Sequence, residues 1–549
     1  MMDRKIKTQA LIIGILLLLT GILSLFYWGS KKQVWFCDEI YTYESANGFE
    51  QDWPASYTGQ WMTGGDVEAF FAADRDTLSL NDITYRLYND HVPLYFWLFR
   101  MISLFFFKGS GSIWIGLSIN LFFYLIFLIL GYMLFLLLTN KPVMSGTVIL
   151  LTCIVNRLMI EQITVLRMYM MLLLLEGMLL LGALCILRKI EKNKMSAGVF
   201  VYLFIVSVAG FLTHYDYWIF YAATASVFCL WILISAVRKK RGKFWFSREF
   251  QYVLAWGANF IVALLTTIWL FPFCRWNLNR GKGQMALKSL FDFSDKKAGQ
   301  IIWGYKRLSA AIFGDSIPMA IGLLLLFGCI AGGMFLLYRK KEYLKFAGLF
   351  LCVLTAQIYQ LIVCFTMPDA LEERYLWGSF IIMMLCAAFG GLLLLQASFS
   401  SIKDNKKQQK ISWITGILLS VCILLGEILV IDGGNGITYL FHPEKNVDLL
   451  KENHDIPWIV YGPTVGVYSY YDWLIPERIC FLTENNTAED AAAVNKLQSE
   501  RFVLYLYEDY LPDALRFFEQ ELGYELHVEY LTKSTNLTVY LVERDLSVR

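Results

Sequence analysis

Residues 10–28 read ALIIGILLLLTGILSLFYW, an uncharged run long enough to cross a bilayer, preceded by Arg4, Lys5 and Lys7 and closed by Phe26, Tyr27 and Trp28. A basic flank before an apolar run is also the plan of a signal peptide. Here no small-residue cleavage site follows, and the aromatic end suits an interfacial anchor, so the segment reads as a permanent first span. Further apolar runs of about 17–27 residues lie at 112–138, 143–159, 163–187, 197–213, 217–237, 251–272, 317–338, 345–366, 375–396 and 412–431, about eleven spans with the first. Placing Arg4, Lys5 and Lys7 in the cytoplasm sends every later basic connector there too: Arg188 and Lys189, Arg238 to Arg241, Arg339 to Lys341, and Lys403 to Lys410. The composition agrees, since 57% of the 549 residues are hydrophobic and only 17% charged, against roughly 25% charged in soluble domains. A soluble protein is excluded, and a net charge of +2 gives nucleic-acid binding no support.

The alternation assigns to the exoplasmic side a loop at 30–111, a second loop at 273–316 and the tail from 432. The expected architecture is a polytopic α-helical membrane unit, 1–431, followed by an exoplasmic α/β domain, 432–549. The stretch 93–107 is apolar but too short to span, and reads as a helix lying in the outer interface. In the tail, strands are expected at 458–461, 478–482, 501–507, 524–531 and 537–542, with helices near 446–453, 488–497 and 512–522. Eleven cysteines, most of them inside apolar runs without ligand spacing, read as small core residues and not as a disulfide framework or zinc site.

Chemistry-bearing residues gather in the first loop and at three corners. Asp38 and Glu39 open a short helical stretch closed by Gly48, where Asp38 suits an N-cap and Glu39 the positive helix end. A carboxylate fixed in this way is also placed to activate a hydroxyl. Asp90, His91 and Pro93 lead into the interfacial helix. Glu161, Arg167 and Tyr169 stand between the third and fourth spans, His214, Tyr215 and Asp216 between the fifth and sixth, and Glu372, Glu373, Arg374 and Tyr375 before the tenth. Each corner alone is an ordinary interfacial feature, but together they fall on the leaflet that carries Asp38. Glu176 stands in the middle of the fourth span, where an acid is a functional candidate or a protonated, paired group.

Asp38-Glu39 after the first span, the His91-x-Pro93-Leu94-Tyr95 element, Arg167-x-Tyr169, Thr213-His214-Tyr215 and Arg374-Tyr375-Leu376 resemble the protein O-mannosyltransferase and aminoarabinose transferase group, membrane glycosyltransferases of the GT-C class, family 39. The likeness covers about residues 1–430. It departs at Val92, where the family often has proline, and the tail is not the β-trefoil of the eukaryotic protein mannosyltransferases, which favours a prokaryotic plasma-membrane enzyme. The resemblance implies inverting transfer of a sugar from a polyprenyl-phosphate carrier to an acceptor hydroxyl on the outer face. Asp38 would take the acceptor proton, Glu39 would position hydroxyls, Arg167, Arg374 and His214 would hold the carrier phosphate, and His91 could serve either substrate. A divalent cation, the identity of the sugar, and whether the acceptor is an envelope glycan, lipid or protein stay open. Two other classes stand beside this one: a transporter or flippase of a lipid-linked sugar, which Glu176 would suit, and a non-catalytic partner in envelope polymer assembly.

Overall fold

The computed structural model of the protein describes residues 4–32, 35–48, 53–73, 80–87, 91–192, 196–238, 247–279, 281–292, 294–366, 372–399, 421, 424–428, 445–462, 472–534 and 537–545. Among them, eight helices are long and apolar enough to cross a membrane. These are α1 (Arg4–Ser30), α6 (Trp114–Thr139), α9 (Tyr169–Glu191), α11 (Tyr215–Arg238), α12 (Arg248–Leu270), α16 (Met319–Arg339), α17 (Tyr343–Thr366) and α18 (Trp377–Phe399). The chain is a polytopic helical membrane protein.

The remaining three expected spans differ in detail. The run at 143–159 is broken: α7 (Pro142–Ile149) passes into a π-helical turn, Leu150–Ile154, and α8 (Arg157–Thr164) continues at 60°. Asn156 causes the break, leaving the helical region and accepting the Leu158 N–H on its side chain at 3.0 Å as the cap of α8. The fourth span therefore begins at Tyr169 and not near 163, and Arg167 stands in the connector. The run at 197–213 is the 15-residue helix α10 (Ala197–Phe211), and 412–431 lies mostly outside the described residues. Small residues let the spans approach closely: a Cβ on Gly333 of α16 would stand 2.5 Å from the Gly390 Cα of α18.

In the loop at 30–111 the described helices are α2 (Cys37–Ala46), α3 (Gly64–Phe71), α4 (Leu80–Arg86) and α5 (Leu94–Phe106). The 13 residues of α5 rise about 20 Å, too little to cross the hydrocarbon core. Tyr95, Phe96, Phe99, Arg100 and Ser103 of α5 are buried, while Met101, Phe105 and Phe106 are exposed. The loop at 273–316 holds α13 (Cys274–Asn279), α14 (Gly281–Leu290) and α15 (Asp295–Phe313).

The tail is α/β, with α19 (Val447–Glu452), β2 (Trp458–Tyr461), β3 (Ile479–Leu482), α20 (Ala488–Val494), β4 (Arg501–Leu506), α21 (Leu511–Leu522), β5 (Leu526–Ser534) and β6 (Leu537–Arg544). Period-two alternation gives the sheet two buried faces. Ile459, Tyr461, Phe502 and Leu504 meet Ala493, Phe517 and Phe518 of the two helices, whereas Trp458, Val460, Val503 and Tyr505 belong to the core shared with the first loop and the spans.

The sheet has six strands in the order β1-β3-β2-β4-β6-β5, and its first strand comes from the first loop. β1 (Trp61–Met62) pairs antiparallel with β3, Trp61 opposite Cys480 and Met62 opposite Ile479. A hydrogen-bonded sheet cannot straddle a bilayer, so the first loop and the tail lie on one side with an even number of crossings between them. Between them in the chain stand seven of the eight long helices, the bent α7–α8 pair and the shorter apolar helix α10.

Candidate active site

Asp38 is not the N-cap of its helix but stands two residues past it. Phe36 is the cap residue of α2, and Glu39, at the third helical position, accepts the Phe36 N–H on Oε2 at 2.8 Å. The other Glu39 oxygen accepts Lys32 Nζ at 2.9 Å and the Leu166 N–H at 2.7 Å. The Glu39 side chain is completely buried. It thus ties the start of α2 to the connector between α8 and α9, where Asn120 Nδ2 donates to the carbonyls of Ile163, in the last turn of α8, and of Val165, at 3.1 and 2.6 Å.

That connector delivers Arg167. Its Nη1 donates to the Asp38 carbonyl and to Thr42 Oγ1, both at 2.9 Å, and its Nη2 lies 3.9 Å from Asp38 Oδ2 and 3.1 Å from His91 Nε2. A guanidinium can only donate, so the network makes His91 Nε2 the acceptor and assigns the ring proton to Nδ1. Arg374 comes from a 3₁₀ turn, Glu373–Leu376, that leads into α18. Its Nη2 stands 2.9 Å from Asp38 Oδ2, its Nη1 pairs with Glu372, and its guanidinium lies 4.6 Å from the Phe36 ring centre and 5.2 Å from that of Tyr375. Both arginines are almost wholly buried, while Asp38 keeps about a quarter of its side chain exposed.

The structure therefore brings Asp38, Glu39, Arg167, His91 and Arg374 into one contact network. Tyr169, Tyr375 and His214 form an aromatic layer beside it, with ring centres 5.9 to 6.3 Å apart. His214 Nδ1 accepts the Asp216 N–H at 3.1 Å at the start of α11, so the ring is already engaged locally. Tyr215 packs instead with Val92, Leu212 and Phe271. Glu161 is buried within α8. Asp90 lies outside the described residues. Glu176 is fully enclosed, and its carboxylate has no hydrogen-bond partner among the described residues. No group of three or more His, Cys, Asp or Glu that could hold a metal occurs among the described residues.

Several residues of the site escaped the sequence reading. Arg307 of α15 donates Nε to Glu373 Oε2 at 2.7 Å and lies 3.7 Å from Asp315, which is 3.6 Å from the buried Arg157. The second loop is thereby joined by charge to the turn that carries Arg374. Tyr95, quoted in the sequence only as part of the His91-x-Pro93-Leu94-Tyr95 element, is buried with its hydroxyl unbonded among the described residues, and burial pushes its phenol far above the ordinary range. Arg86 closes the other end of α2, donating Nη1 to the Glu44 and Gly48 carbonyls at 2.9 and 2.8 Å, while desolvation, opposed by Arg86 and Ser45, raises the Glu44 carboxyl above its usual range. Asn120 and Lys32 gave no signal beyond being polar residues next to apolar runs.

No family model matches the chain, and no curated protein matches it. Among solved structures it is similar to ArnT from Cupriavidus metallidurans in the apo state, with 11% identity and a TM-score of 0.49 over 96% of this chain and 97% of that one. It is also similar to the same protein bound to undecaprenyl phosphate, with 11% identity and a TM-score of 0.48 over 96% and 97%. A third is the archaeal oligosaccharyltransferase AglB from Archaeoglobus fulgidus in complex with an inhibitory peptide and a dolichol-phosphate, with 11% identity and a TM-score of 0.44 over 100% of this chain and 75% of that one.

Proposed function

We propose that the chain is a GT-C-like glycosyltransferase that moves a sugar from a polyprenyl-phosphate carrier to an acceptor hydroxyl on the exoplasmic face of a prokaryotic plasma membrane, with inversion. One observation carries the reading: Asp38 meets two buried arginines, Arg374 and Arg167, and through Arg167 the imidazole of His91, at one end of the span bundle. A carrier phosphate whose prenyl chain stays in lipid has to sit at that level, and planar guanidinium groups suit two phosphate oxygens at once.

In this mechanism the acceptor oxygen attacks the anomeric carbon on the face opposite the phosphate. The bond from that carbon to the phosphate oxygen breaks, its electron pair stays on the phosphate, and Arg374 and Arg167 meet the growing charge. The acceptor proton passes to Asp38, which must part from Arg374 as the guanidinium turns to the phosphate. Glu372, with 37% of its side chain exposed, is the anion freest to swing aside. Glu39, buried and bound by three donors, acts as a positioning residue for α2 and Arg167, not as a hydroxyl ligand. The acceptor and the sugar remain defined only as an alcohol and a carrier-linked glycosyl group.

The test is single-turnover transfer by the purified protein in nanodiscs from polyprenyl-phosphate sugars, together with identification of the lipid that copurifies. Bound polyprenyl phosphate and transfer lost in Asp38→Asn are expected. If neither binding nor transfer is found with any such donor, Asp38 and its arginines are a structural ion cluster.

A further inference from the structure

Among the described residues, α3 stands between the tail and α2, the helix that carries Asp38, and touches both. At its start, α3 is seated against the C-terminal unit: a Cβ on Gly64 would stand 2.8 Å from the Leu474 carbonyl oxygen and 2.9 Å from that of Pro476, and the Gly64 N–H donates to the latter at 3.2 Å. Just before it, Trp61 pairs with Cys480, donates Nε1 to the Ala493 carbonyl at 3.0 Å, and carries the Arg478 guanidinium 4.7 Å from its ring centre. At its far end, Phe71 lies against Trp35 and against Tyr43 of α2, with ring centres 5.7 and 6.2 Å apart. The Phe71 carbonyl also accepts Asn47 Nδ2 at 3.0 Å, and Glu68 accepts the Gly111 N–H at 3.1 Å.

We propose that α3 is a strut through which the C-terminal domain sets the position of Asp38 over Arg167 and Arg374, with Gly64 as the positioning residue at its foot. Backbone faces backbone at Gly64, so no rotamer change relieves an added methyl and α3 has to shift by some tenths of an ångström. The arginines stand on other elements, the connector before α9 and the turn before α18, so a shift passed along α2 changes the position of Asp38 relative to their guanidinium groups. Gly65 is the built-in control, because a Cβ there meets nothing nearer than Thr63 Oγ1 at 3.5 Å.

The proposal rests on the transferase reading for its consequence, and its test has one arm that does not. In the full chain, Gly64→Ala should lower single-turnover transfer roughly tenfold, as misplacement of a reacting group does, while binding of polyprenyl phosphate stays at the parent value. Gly65→Ala should match the parent in both. Independently of any transfer, thiol labelling of Cys37, the neighbour of Asp38, should change at least about twofold in rate in Gly64→Ala and not in Gly65→Ala, read peptide by peptide by mass spectrometry. Burial pushes the Cys480 thiol up to about 12, which keeps that residue slow and separable. A folded Gly64→Ala with parent transfer and parent Cys37 labelling overturns the strut. Loss of transfer from the parent overturns the enzyme reading alone and leaves the labelling arm to decide. Should Gly64→Ala not fold, Trp61→Phe, which drops the Nε1 bond and keeps a ring under Arg478, should move both readouts the same way by less. Parent-like values there overturn the proposal equally.

Discussion

Arg374 reaches Asp38 with Nη2 2.9 Å from Oδ2 while Nη1 holds Glu372, so one guanidinium links the loop after the first span to the turn that opens α18. The pairing sets which changes should separate proton transfer from phosphate binding. In the proposed mechanism, Asp38 is held in place by a group it must release during turnover.

Asp38→Asn should reduce single-turnover transfer by about 10²–10⁴-fold, the usual loss on removing a general base. Because the amide oxygen still accepts from Arg374 and lies outside the capping bonds of Glu39, melting temperature and affinity for polyprenyl phosphate should stay close to the parent. Near-parent turnover would reduce Asp38 to an ion partner of Arg374.

Arg374→Ala and Arg167→Ala should each weaken binding of polyprenyl phosphate and slow transfer, since the bonds they remove exist in the ground state and strengthen as the leaving group gains charge. Lysine at either position should restore part of both, keeping the charge without the planar fork. Parent-like carrier binding by both alanine variants would assign the leaving group to other residues.

Glu39→Gln should destabilise the fold by about 3–5 kcal/mol, because it leaves the Lys32 ammonium buried beside a neutral amide. Combining it with Lys32→Met should recover much of that loss. Thermal unfolding in one detergent gives both values, and a single variant as stable as the parent would remove Glu39 from its pinning role.

Asp66 gives α3 a measurable dependence on pH. Its carboxylate accepts the Thr63 N–H and hydroxyl, each at 2.8 Å, and these bonds, the backbone one first, hold the carboxyl below its usual range. A folded value below the unfolded one makes the contribution complete above the unfolded value of about 3.9 and lost as pH falls through the lower folded value. The melting-temperature advantage of the parent over Asp66→Asn should be small, under about 1 kcal/mol for so exposed a pair, constant near neutrality, and gone in acid. An advantage that grows on acidification would reverse the sign.

The strand pairing of Met62 with Ile479 puts the first loop and the tail on one side, and the basic connectors predict which side that is. Reporter fusions at Glu519 should read the exterior and at Lys240 the cytoplasm, and Met62→Cys with Ile479→Cys should cross-link on oxidation. A cytoplasmic Glu519 would invert the assignment of the whole corner cluster.

The residues that interact with water or lipid were legible from the chain itself. Solvent chemistry acts on each segment locally, so apolar length marks a span such as Trp114–Thr139, and short runs rich in β-branched and aromatic residues mark strands such as Trp458–Tyr461 and Leu537–Arg544. It also placed Asp38, Arg167, His91 and Arg374 at one end of the bundle, because charge costs least where spans end. Tertiary structure alone decided who holds whom. Nothing near Glu39 indicates that Leu166 and Lys32 will bind its oxygens and turn an expected substrate ligand into a pin, since both partners are ordinary residues locally. Trp61 and Met62 are too short a run to read as a strand until β3 offers them an edge, and Arg157, Asp315 and Arg307 acquire meaning only when the second loop folds against α8. Those contacts are long in sequence and formed by geometry, so composition and periodicity, which report one segment's preference at a time, carry no trace of them.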